Sequence, residues 1–110
     1  MLQLIDLIVS GLTQRYSGKG YIHWRDHHPR TEGKARCLAA AEAWEVVSLD
    51  ARTQLTHEDL IRIGIDALHR LGWPPLCYDD KGDVYILFAN GCRQYTGQTY
   101  SRWVKEVYDK

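Results

Sequence analysis

Apolar and polar positions change their period twice in the second half of this chain, and each change is punctuated. From position 57 to 71, Leu60, Ile61, Ile63, Ile65, Ala67, Leu68 and Leu71 take up most of a helix circumference. Glu58, Arg62, Asp66 and Arg70 step by four along one narrow line. The pattern predicts a helix over 57–71, and a helix with a single thin polar line is a central, mostly buried one. Thr56 stands where a cap belongs, with Asp59 in the position of a capping-box partner. Gly72 is placed to close the helix, and Pro74-Pro75 bars its continuation.

The period then falls to that of strands. Leu76-Cys77-Tyr78 leads into Asp79-Asp80-Lys81-Gly82-Asp83, a hairpin turn with a glycine in it. Val84 to Ala89 is apolar on both faces, as a central strand is. Asn90-Gly91 is a strong hairpin signal and returns the chain into Cys92-Arg93-Gln94-Tyr95. Gly97 is expected to break that strand. Thr99 is expected to cap a last helix whose stripe is Tyr100, Trp103, Val104, Val107 and Tyr108.

The first half is less regular. Ile5, Ile8, Val9, Leu12 and Tyr16 predict a helix over 3–16, and Leu4 and Leu7 widen its apolar face enough for two neighbours or a second copy. Gly18 and Gly20 should end it. Tyr21-Ile22-His23-Trp24 could pair as a short strand, and Pro29 keeps His28 out of a helix. A second helix is expected from after Thr31 to about Leu49, with Cys37, Ala40, Ala41, Trp44 and Val47 on one face. The expected fold is one α+β domain over 1–110, a three-stranded antiparallel meander packed against helices in the order α–(β)–α–α–β–β–β–α.

Composition narrows function without naming it. Fourteen basic residues balance fourteen acidic ones, so no global field recruits nucleic acid or an anionic membrane. Aromatic content is skewed to 7 Tyr and 4 Trp against 1 Phe. Rings with a polar handle suit half-wet interfaces and pockets, or the edge of a small core. Three cysteines, Cys37, Cys77 and Cys92, form no CxxC pair, and no basic leader or apolar span is evident. The expectation is a cytoplasmic protein with reduced thiols and no membrane association.

Three stretches carry candidate chemistry. Tyr21, His23, Trp24, Arg25, His27, His28 and Arg30 form the candidate binding segment, because imidazoles, rings and guanidinium groups are concentrated there. Its spacing does not supply a zinc ligand set, and the alternative is an exposed, solvated loop. The same region is basic: between positions 13 and 36, Arg15, Lys19, Arg25, Arg30, Lys34 and Arg36 face only Asp26 and Glu32, with Tyr16, Tyr21 and Trp24 between them. Basic groups neutralise phosphates and rings stack on bases, so nucleic-acid binding through 15–36 is one alternative. Arg93, Arg102, Lys105 and Lys110 could make the terminal helix a groove reader, although its rings suit packing on the sheet better.

Catalysis finds weaker support. No Gly-x-Ser-x-Gly is present, and Asp79, Asp80 and Asp83 read as turn formers rather than calcium ligands. An enzyme using His23, His27 or His28 is the remaining alternative. The leading expectation is a small non-catalytic binding or interaction protein that self-associates, as a dimer, through Tyr- and Trp-rich surface. A protein or small-ligand partner fits, nucleic acid is not favoured, and neither a cofactor, a metal nor a catalytic residue is assigned.

Overall fold

The computed structural model describes residues 3–15 and 29–108, with side chains to 105. Within them the chain runs α1 (Leu4–Arg15), α2 (Glu32–Val46), α3 (Leu49–Arg52), α4 (His57–Arg70), β1 (Leu76–Tyr78), β2 (Asp83–Leu87), β3 (Arg93–Thr99) and α5 (Tyr100–Tyr108). The strands make an antiparallel meander in the order β1-β2-β3. The α+β class and the order of elements are those expected from the sequence.

α4 is the central helix. Thr56 Oγ1 accepts from the Asp59 N–H at 3.1 Å, and Asp59 Oδ2 accepts from the Thr56 N–H at 3.0 Å, so the capping box is closed in both directions. Leu60, Ile61, Ile65, Ala67 and Leu68 are buried, while Glu58, Arg62, Asp66 and Arg70 are all exposed. Gly72 follows at φ +81°, the left-handed conformation that terminates helices. α2 crosses α4 at a very short distance. A Cβ on Gly64 would run into the carbonyl group of Ala39, so only a glycine lets these backbones meet. α1 lies over both, with Ile8 and Leu12 fully buried.

One buried cluster joins these layers. It draws Ile8 and Leu12 from α1, Ala35, Ala39, Ala40 and Ala43 from α2, the apolar face of α4, and Cys77, Tyr85 and Leu87 from the sheet. Those three sheet residues share a face, since Cys77 pairs with Tyr85 and side chains alternate along a strand. The opposite face carries Tyr78 and Val84, and there α5 packs, with the Tyr100 ring 4.7 Å from that of Tyr78. α4 and α5 therefore cover opposite faces of the meander.

Three local expectations change. The second helix stops at Val46, because Val47 is extended at φ −85°, ψ 151° and Ser48 caps the short α3 by accepting from the Ala51 N–H at 3.3 Å. Of its expected face, Ala40 and Val47 are buried, together with Ala35, Ala39 and Ala43, whereas Cys37, Ala41 and Trp44 are exposed. Alanines all around the helix left no polar contrast from which to choose a face. Gly97 does not end β3. It sits at φ +83° in an irregularity where Asp83 pairs with Thr99 but Tyr85 pairs with Tyr95, so the strand bulges and runs on into α5. The Arg102 N–H then reaches Thr99 Oγ1 at 3.3 Å, the expected cap. The proposed 21–24 strand and the end of the first helix beyond Arg15 lie outside the described residues.

Candidate functional site

Of the seven candidate binding residues, Tyr21, His23, Trp24, Arg25, His27 and His28 lie outside the described residues. Arg30 is described, and it is tied into the sheet. Its N–H donates to the Leu76 carbonyl at 3.0 Å and its carbonyl accepts from the Tyr78 N–H at 3.0 Å, a parallel bridge opposite Cys77. The segment 29–31 thus closes the outer edge of β1 and delivers the chain into α2 through its cap, Thr31.

The strap leads into a polar network that the sequence did not reveal. Glu32, in the first turn of α2, accepts a hydrogen bond from the Tyr85 hydroxyl at 2.9 Å and an ion pair from Arg93 at 3.3 Å, both on Oε1. The Arg93 guanidinium lies 4.4 Å from the centre of the Tyr85 ring and also donates to the Tyr95 hydroxyl at 3.2 Å. Tyr95 in turn donates to Asp79 Oδ2 at 3.0 Å. The other oxygen of Asp79 accepts from the N–H groups of Lys81 and Asp83, so the acidic turn is consumed by its own backbone. These residues come together because Tyr85, Arg93 and Tyr95 project from one face of adjacent strands.

Electrostatics fixes the protonation of this network. Burial, reinforced by the Glu32 charge, pushes the Cys77 thiol up to about 12. At neutral pH it is a protonated, poorly nucleophilic thiol. Burial and the bond to Glu32 raise Tyr85 above the ordinary phenol value. The backbone N–H of Asp83, followed by the Tyr95 hydroxyl, holds Asp79 below the ordinary carboxylate value. Each of these shifts moves its group away from neutrality, so none poises it to exchange a proton there. Among the described residues no cluster of three or more His, Cys, Asp or Glu side chains could hold a metal ion.

Two concavities flank α4. A polar cleft of about 570 Å³ lies between α4 and the 89–91 turn and is lined by Arg36, Glu58, Arg62, Asp66 and Asn90. Its charges alternate in sign, and Arg36 already pairs with Glu58 at 3.2 Å. On the other side, an apolar groove of about 360 Å³ runs between α2 and the start of α4, lined by Cys37, Ala40, Ala41, Trp44, Leu55, His57 and Leu60. Trp44 is 42% exposed there, and Leu49, the first residue of α3, is 74% exposed. The Arg52 guanidinium lies 4.6 Å above the Trp44 ring and donates twice to the Trp44 carbonyl, at 2.7 and 3.0 Å. That double hold fixes the α2–α3 corner with the indole facing outward. Cys37, Ala41 and Trp44, which the spacing puts on one helix face, border this groove.

Searches against family models, curated proteins and solved structures find no match to this chain. No helix among the described residues is long and apolar enough to cross a membrane.

Proposed function

We propose that this chain is a small non-catalytic interaction protein that self-associates in the cytoplasm. The observation that carries the reading is the outward stripe of α2: Cys37, Ala41 and Trp44, uncharged, exposed and bordering an apolar groove. A helix that faces water ordinarily carries charge on that side, and exposed apolar surface around a half-buried Trp is interface chemistry. The buried, protonated Cys77 and the satisfied Glu32–Tyr85–Arg93 network support a scaffold role for this polar cluster on the sheet. Three free thiols, two of them exposed, suit a reducing compartment.

The basic segment offers nucleic acid less than its composition suggests. Arg15 pairs with Glu45 at 3.6 Å and Arg36 with Glu58 at 3.2 Å, so two of its six cations already face carboxylates. Sedimentation velocity over a range of concentrations tests the proposal. The expected mass rises to twice 12.7 kDa. A monomer at every concentration overturns self-association. Oligonucleotide binding whose affinity falls steeply with salt would replace it with the phosphate-driven alternative.

A further inference from the structure

We infer that the α2–α4 groove seats a second copy of this chain, with the two α2 helices antiparallel about a two-fold axis near Ala41. The inference rests on the self-association proposed above and names its face. Two observations converge on a copy of the same surface rather than an unrelated partner.

The patch complements itself. It carries a projecting ring, Trp44, at one end of the stripe and the small side chains of Ala41 and Cys37 along the rest. A two-fold interface must contain both a knob and its hole, because the same patch meets itself. A two-fold axis set midway between Trp44 and Cys37 lies about 5 Å along the helix from each, at 1.5 Å per residue. Antiparallel pairing therefore drops each indole across the Cys37 position of the other copy. Ala41, near the axis, is small enough to let the backbones approach.

The flanking charges also complement. Lys34 and Glu45 are eleven residues apart, just over three full turns, so they share one flank of the stripe. An antiparallel two-fold pair sets that flank against itself in reverse. Glu45, about 7 Å from the midpoint, then falls beside Lys34 of the other copy, about 10 Å from it on the matching side. Among the described residues the Lys34 ammonium has no ion-pair partner, and Glu45 has only the long, exposed pair with Arg15. Arg52 meanwhile stacks over the Trp44 ring, and that restraint lowers the entropy lost when the ring is buried.

Sedimentation of the full chain and two variants decides the matter. Trp44→Glu should weaken the dimer by roughly 30-fold or more, the size of an interface hot spot, with unchanged far-UV circular dichroism. Ala41→Cys, made with Cys37→Ser and Cys92→Ser, should cross-link to a covalent dimer under mild oxidation. The cross-link keeps the test decisive even if Trp44→Glu perturbs folding. A wild-type dimer that survives Trp44→Glu, with Ala41→Cys remaining uncross-linked, overturns this face and leaves self-association standing. A monomeric wild type overturns both. Capture of only a different protein by the groove also refutes the two-fold arrangement.

Discussion

Among the described residues, the clearly shifted side chains all move away from neutrality, and the direction of each shift tells how stability should respond to pH. Asp59 is held below the ordinary carboxylate value by the Thr56 backbone N–H, with the Thr56 hydroxyl and Arg62 adding to it. A depressed carboxylate stabilises the fold above the unfolded value, and that contribution fades as pH falls through the lower folded value. Asp79 acts in the same sense. Cys77 works at the other end. Its thiol is raised from about 9 to about 12, so its contribution is complete below 9 and is lost as pH climbs toward 12, where the unfolded chain ionises first. Thermal melting across pH should therefore show an acid limb below about 4 that Asp59→Asn flattens, and an alkaline limb above about 9 that Cys77→Ala flattens. An alkaline limb identical in Cys77→Ala would show that the thiol is not what the unfolded state gains from.

Among the elements, α4 bears the greatest packing load. It contacts α1 and α2, and the buried cluster joins it to the sheet. Leu68 is 1% exposed in that cluster. Leu68→Ala should cost about 2–5 kcal/mol in chemical denaturation, since a packed core closes poorly around a lost isobutyl group. A cost near zero would mean that α4 has another neighbour than the one described. α4 was also the element most legible in the sequence, because its cap, its polar line and its terminal glycine all agree. The meander was legible for a similar reason. Gly82 at φ +83° and Gly91 at φ +89° occupy the left-handed conformation that their turns require. β3 was misjudged at one point only, where Gly97 bends the strand instead of ending it. A glycine in a strand serves either purpose, and the partner strand, not the local sequence, decides.

At the scale of the whole molecule, legibility ends where distant residues meet. Glu32, Tyr85 and Arg93 are separated by up to 61 positions, and no local pattern announces that they will join α2 to the sheet. Arg30 was picked out for its charge, yet its backbone is what the fold uses. The apolar groove was missed for a different reason. α2 has small or apolar side chains on every side, so periodicity could not tell the face that meets α4 from the face that meets water.

The close passage of α2 over α4 also bears on how this chain could drift over generations. The obstacle at position 64 is the Ala39 carbonyl, which every residue type carries, so no change at 39 can make room. Gly33, near the start of α2, meets nothing within 4 Å. In a randomised library selected for folding, position 64 should return glycine alone, while position 33 should diversify and favour better helix formers. Two glycines that look alike on paper would leave opposite records in descendants, one frozen and one free.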